Sequence, residues 1–160
     1  MAKTEETQRA DLMWGLLQAF TWMDRCLQEN LAARGWQPLS RTESEIMVFI
    51  DQGMTSPVDI AHALGVSRQA INQATKSLIE RGLVVLEADP ADGRRKVLTF
   101  PPSGEAIGQD AVEIIRGMER ELEKRLGKRR IDALRDAVKE NWGEIPEIGS
   151  TAPRKSKRRS

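Results

Sequence analysis

Few of the residues that enzymes use for chemistry occur in this chain of 160 residues: one cysteine (Cys26), one histidine (His62) and no tyrosine. A single cysteine excludes an internal disulfide framework and points to a reducing compartment. A lone histidine supplies neither a metal site nor a catalytic triad, and no glycine-rich loop is present to cradle a phosphate. No catalytic residue, metal or cofactor is therefore expected, and an enzyme is the disfavoured class. Long apolar runs are missing as well. None approaches the roughly 18 residues that a membrane span requires. Glu5, Glu6, Arg9 and Asp11 interrupt the N-terminal stretch where a signal peptide needs its apolar core. These absences describe a soluble, cytoplasmic protein with no membrane partner.

An excess of charge of one sign is also lacking. Charged residues make up 31% of the chain, yet the formal net charge is +1. That balance hides a segregation. The last ten residues, TAPRKSKRRS, carry five basic side chains and no acid, which leaves residues 1–150 at −4. A mildly acidic body with a basic tail does not by itself announce a nucleic-acid binder. The tail is either a solvated end or a non-specific phosphate contact. With 39% apolar residues there is enough chain for one ordinary core.

What is present is helical periodicity. From Gln8 to Ala33, apolar residues recur at Leu12, Leu16, Phe20, Met23, Leu27 and Leu31, the spacing of a long helix that Gly35 ends. Thr42 followed by Glu45 reads as a capping box for a short helix ending near Asp51. Ser56-Pro57 opens the next helix, which stops at Gly65. Ser67 caps a third, closed by Gly82. The texture then changes. Leu83–Leu86 and Val97–Phe100 are β-branched and apolar, and DPADGRRK between them holds a turn signal, so a β-hairpin with a long tip is expected. Pro101-Pro102 breaks it. A long helix follows over 103–126, Gly127 interrupts, and a last helix covers 128–142. The tail over 143–160 reads as disordered.

Residues 57–76 fit a helix-turn-helix. Ala61 is small where the second helix must approach, Gly65 takes the turn, and Ile71 locks the second helix against the first. On that second helix Gln69, Asn72, Gln73 and Lys76 share one face, and Ile71, Ala74 and Leu78 share another. Carboxamides solubilise a surface poorly but pair bidentately with adenine, and Arg or Lys pairs with guanine or phosphate. A helix-turn-helix followed by two strands with a basic tip is a winged helix: mainly α, with a small hairpin wing. Between Arg68 and Lys96 six basic residues face four acids, a local positive balance within an acidic body.

The order of elements, with ALGVSRQAINQATKSLIERGLV and DPADGRRKVL, resembles the MarR (multiple antibiotic resistance regulator) family of winged-helix transcription factors over about residues 8–142. Its most specific part is Asp89-Pro90 followed by Asp92-Gly93-Arg94. The resemblance implies a homodimer with dimerisation helices at 8–36 and 103–142 and a winged helix-turn-helix DNA-binding domain at 40–100. It implies a regulator, a repressor in the first instance, of a palindromic double-stranded DNA operator, often released by a small phenolic or anionic ligand or by oxidation. Helix 67–82 would enter the major groove, and wing 89–96 would lie on backbone or minor groove. Ser67, Arg68, Gln69, Asn72, Gln73, Lys76, Asp92, Arg94 and Arg95 are the DNA-binding candidates, with Arg94 in the minor groove and Asp92 orienting it. A winged-helix interaction module or co-regulator without its own operator is the alternative.

Two departures stand out. Phe100-Pro101 replaces the Leu-Thr that often precedes the family's long helix, so its cap falls to Ser103. Members that sense peroxide use a cysteine near the start of the first helix with tyrosine partners, whereas Cys26 lies far along that helix on its apolar stripe and reads as a buried thiol. His62 reads as a surface residue near the DNA backbone. For an aromatic or anionic effector, Trp14, Trp22 and Trp36 are the aromatic candidates and Arg34 or Arg41 the cations. Leu16, Phe20, Ile131, Leu134 and Val138 are expected to be mostly buried in the dimer.

Overall fold

The computed structural model describes residues 11–146, so the expected helical residues 8–10 and the tail from 147 lie outside it. The described residues form six helices and one hairpin: α1 (Asp11–Ala33), α2 (Arg41–Asp51), α3 (Pro57–Leu64), α4 (Arg68–Glu80), β1 (Val85–Ala88), β2 (Lys96–Thr99), α5 (Pro102–Leu126) and α6 (Lys128–Lys139). No helix among the described residues is long and apolar enough to cross a membrane. The chain divides into two compact units, one running to Glu121 and one starting at Leu122.

The first unit is a winged helix with α1 and most of α5 attached. Its helices begin and end on local chemistry. Ser56 and Ser67 each accept a bond from the backbone N–H three residues on, at Asp59 (3.3 Å) and Ala70 (3.1 Å). Gly65 sits in the left-handed region at φ 64° and turns α3 into α4. Gly82, at φ 67°, closes α4: its N–H bonds to Ile79 O and Leu83 N–H to Leu78 O, both at 2.9 Å. That closure uses up Gly82 and Leu83, so β1 begins at Val85 rather than at Leu83. It pairs antiparallel with β2, with Leu86 opposite Leu98. Leu98 N–H also bonds to Thr55 O at 2.8 Å, which ties the hairpin to the segment before α3.

Two cap assignments are corrected. The box at the start of α2 is Ser40–Glu43, not Thr42–Glu45: Glu43 N–H donates to Ser40 Oγ, and Ser40 N–H donates to the Glu43 carboxylate. Both pairs fit the sequence pattern. The earlier one lengthens the helix and leaves Glu45 free to pair with Arg41 at 2.9 Å. Ser103 does not cap α5, which already starts at Pro102; the Ser103 hydroxyl donates to Gly82 O instead.

The core gathers one face of each element: Leu31 from α1, Ile46 and Ile50 from α2, Ile60 from α3, Ile71 and Leu78 from α4, Leu98 from β2 and Ile107 from α5. The two ends of the α1 stripe differ: Leu12 is 72% exposed and Leu31 1%, with Leu16 half buried and Phe20 exposed between them. In the second unit Gly127 separates α5 from α6. Arg135 pairs with Asp132 (2.7 Å) and Glu123 (3.6 Å), and Ile131 is buried. Leu134 and Val138 stay half exposed in the single chain.

One contact fixes the first turn of α5 on the end of α4. A Cβ on Gly104 would collide with Leu83 O, against backbone that cannot yield cheaply. Gly108, one turn on, has nothing within 4 Å of such a Cβ. Gly104→Ala is expected to cost roughly 1–3 kcal/mol. Gly108→Ala is expected to be neutral or to stabilise by up to about 1 kcal/mol through helix propensity. Urea unfolding of the two variants checks this; equal stabilities would show that the close approach is not there.

Candidate nucleic-acid interface

Helix α4 presents the face expected of it. Gln69, Asn72, Gln73 and Lys76 are all exposed, whereas Ile71 and Leu78 are buried and Ala74 is half buried. None of the three carboxamides has a hydrogen-bond partner within the described residues. Their donors and acceptors are therefore open to an outside partner. Lys76 stands 3.6 Å from Glu80 in an exposed pair, which ties it down little. Ser67 accepts the Ala70 N–H as the N-cap and keeps its own hydroxyl proton to donate. Arg68 and His62 are exposed.

The wing tip is built from two aspartates. Asp89 Oδ1 accepts Ala91 N–H (2.8 Å), and Asp92 Oδ1 accepts Arg94 N–H (3.1 Å). Asp89 N–H donates to Arg95 O, and Arg95 N–H to Asp92 O, which folds the tip back. Asp92 thus meets Arg94 through the backbone, and the exposed Arg94 side chain has no partner among the described residues. Arg95 differs. Its guanidinium lies 3.5 Å from Asp59 on α3, with both side chains more than half exposed, so the wing base is linked to the helix-turn-helix.

The five effector candidates do not converge on one cavity. Trp14 and Trp22 are exposed. Trp36 donates its indole N–H to Asp110 at 2.7 Å, and Arg34 bonds to Asp110 and, at 2.9 Å, to Glu113. The Trp36 indole N–H and the Arg34 guanidinium hold the Asp110 carboxyl below its ordinary range. Arg34 is thereby occupied. Arg41 alone lines a cavity of about 290 Å³, with Phe20, Met23, Leu27, Val48 and Phe49 among its walls. Its guanidinium sits over the Phe20 ring, 4.8 Å from the centroid. Cys26 is half buried rather than buried; Asn30 Nδ2 donates to its carbonyl at 2.8 Å.

Glu43 is not among the residues expected at this interface. It is 6% exposed, and its carboxylate accepts from Ser77 Oγ (2.6 Å), Ser40 N–H (2.6 Å) and Arg81 Nη1 (3.5 Å). Arg81 also donates to Gln37 O (2.7 Å) and Pro38 O (3.4 Å). A signal existed. Glu43, Ile46, Met47 and Ile50 stand at i, i+3, i+4 and i+7, so the acid opens the buried stripe of α2.

A helix-turn-helix with an exposed carboxamide face and a hairpin folded beside it defines a winged-helix protein. Residues 37–95, which hold the helix-turn-helix and the first part of the wing, match the model of the MarR family. The family is one of transcriptional regulators, not of enzymes. An uncharacterised HTH-type transcriptional regulator of Bacillus subtilis, YdgG, is 35% identical over 95 residues, 58% of this chain and 60% of its own length. The fold is similar to that of a mutant of MarR from E. coli complexed with operator DNA (TM-score 0.64, 20% identity, 82% of this chain and 94% of that one). It is also similar to CouR from Rhodococcus jostii RHA1 bound to p-coumaroyl-CoA (TM-score 0.62, 20% identity, 80% and 89%).

Burial pushes the Glu43 carboxyl up, but the bonds from Ser77 and Ser40 and the charge of Arg81 outweigh it and leave the group below its ordinary 4.5. A carboxyl lowered on folding adds stability above pH 4.5 and loses it as pH falls through the folded value. Glu43→Gln is expected to cost about 2–3 kcal/mol at pH 7. The gap to wild type should shrink below pH 4.5. Paired urea titrations at neutral and acidic pH measure it; a gap that widens in acid contradicts the assignment.

Proposed function

We propose that the protein is a dimeric, sequence-specific DNA-binding transcriptional regulator that represses from a palindromic operator. The observation that carries this reading is the exposed, unpartnered set Gln69, Asn72 and Gln73 on α4. In water these groups gain nothing from the protein, whereas in a major groove they pair with base edges. Lys76, Arg68, Ser67 and Arg95 suit phosphates, and the exposed Arg94 at the wing tip suits a narrow minor groove. That MarR from E. coli was crystallised with operator DNA supports the same use of this fold.

Binding measured on single-alanine variants separates these roles. Asn72→Ala is expected to cost roughly 1–3 kcal/mol on DNA selected from a random pool and to relax specificity at particular base pairs. Lys76→Ala should weaken selected and scrambled DNA alike and lower the salt slope by about one. Arg94→Ala should reduce a preference for A·T-rich flanks. Equal loss on both DNAs for Asn72→Ala would leave α4 as a merely polar surface, as an interaction module without its own operator requires.

The dimer in this proposal would use the helices at 8–36 and 103–142. Leu12, Met13 and Trp14 are 59–84% exposed in the single chain, and Leu134 and Val138 about half exposed. Apolar surface of that kind marks association, most often two-fold. Two recognition helices about 34 Å apart would then set the half-site spacing. Light scattering at micromolar concentration should give twice the chain mass. For release, the apolar cavity beside Arg41 suits a small aromatic acid whose carboxylate displaces Glu45 from the guanidinium. Such an acid is expected to weaken DNA binding in wild type and not in Arg41→Ala; an unchanged affinity across a panel of these acids would refute that part.

A further inference from the structure

Helix α4 meets the rest of the first unit mostly through apolar contacts, which have no direction. Ile71 and Leu78 are almost fully buried, and the buried Thr75 hydroxyl has no partner. The edge toward α2 is lined by Ala70, Ala74 and Ser77, with Gln73 beside them, across a groove from Ser40, Thr42 and Glu43. Small side chains at i, i+4 and i+7 let the helices approach, but they also let one helix roll or slide along the other. Among residues 67–81, Ser77 and Arg81 are the only side chains that hydrogen-bond to another element, and both end on Glu43 Oε1. The other carboxylate oxygen is held by Ser40 N–H, at the start of α2. Arg81 extends the tie to Gln37 O and Pro38 O, in the segment between α1 and α2.

Stability alone does not call for a carboxylate here. Its neighbours on the stripe are Ile46, Met47 and Ile50, and an apolar side chain replacing a buried ion pair is often neutral or stabilising. What an acid adds is direction. Bidentate contacts between a carboxamide and a base tolerate only about 0.5 Å and 10–20° of misplacement. We propose that Glu43 is a positioning residue for base reading: through Ser77 and Arg81 it fixes the roll and axial position of α4, so that Gln69, Asn72 and Gln73 meet base edges in register. This rests on the proposed reading of DNA by α4.

The test uses Ser77→Ala, a mild change at a half-buried site, with Ile46→Val as a control that trims the core without touching the tie. Full-length proteins are titrated with DNA selected by the wild type from a random pool and with scrambled DNA, at a temperature where all are folded. Ser77→Ala is expected to lose about fivefold on selected DNA, the worth of one hydrogen bond, and to stay within about twofold on scrambled DNA. Ile46→Val should change neither. Glu43→Gln should lose more than Ser77→Ala, and the double variant no more than Glu43→Gln alone, because both act through one contact. Wild-type affinity for Ser77→Ala, equal losses on the two DNAs, or additive losses in the double variant would each overturn the proposal while leaving DNA reading intact. A wild type that does not distinguish selected from scrambled DNA would overturn the reading of α4 itself, and this inference with it.

Discussion

A carboxylate withdrawn from water must recover its hydrogen bonds from the protein, and at Glu43 that requirement ties three segments together. One oxygen takes the backbone N–H of Ser40 and so starts α2. The other takes Ser77 and Arg81 and so sets the distance from α2 to α4. Arg81, drawn in by the same charge, holds the carbonyls of Gln37 and Pro38 and fixes where the chain leaves α1. Loss of any one partner leaves a buried donor or acceptor unmet, which costs more than the bond itself contributes. The outer face of α4 is free for another use because its inner face and its C-terminal end are held in this way.

Much of the fold is legible because helices and turns write short-range patterns. The spacing of apolar residues fixes α1 and α5, Ser56 and Ser67 mark helix starts, and Gly65 and Gly82 mark ends. Each of these depends on residues within four positions of one another. The boundaries that shifted were set by competition between equally local signals. Ser40–Glu43 and Thr42–Glu45 both satisfy a capping box, and the pair that forms is the one whose acid also takes a bond from Ser77, 34 residues away. Leu83 has the side chain of a strand residue, but its N–H is already committed to Leu78 O. Ser103 looks like a cap from its neighbours alone, yet its hydroxyl reaches Gly82 O, 21 residues back.

The candidate interface divides in the same way. The carboxamide face was readable because helical period alone decides which side chains share a side, and Ile71 and Leu78 identify the opposite one. The wing turn was readable from Asp-Gly, although the use of the Asp92 carboxylate on a backbone N–H was not. The effector candidates failed to assemble because their partners are distant in sequence: Trp36 and Arg34 are taken by Asp110, more than 70 residues on. A cation chosen for its charge alone cannot be told from one already neutralised. Glu43 was missed for the converse reason. An acid in the first turn of a helix is ordinarily a solvated, dipole-favoured residue, and only its phase with Ile46, Met47 and Ile50 sets it apart.

The contrast between the ends of α1 links these local facts to the larger assembly. Leu31 is 1% exposed and Leu12 72%, so the helix is anchored most firmly at its C-terminal end. The anchored end also carries the polar ties: Gln28 accepts Leu39 N–H and donates to Ser44 Oγ, while Arg34 and Trp36 hold Asp110. The winged helix packs mainly around the C-terminal half of α1, and from the N-terminal half Phe20 adds its ring beneath Arg41. Each methylene left in water there forgoes about 0.8 kcal/mol that burial would return. A partner surface gains most by covering that end, which is where we place the proposed dimer. The separation of tasks then follows from geometry: association at one end of α1, the Glu43 tie beyond its other end, and on α4, beyond that tie, a polar face with no internal use.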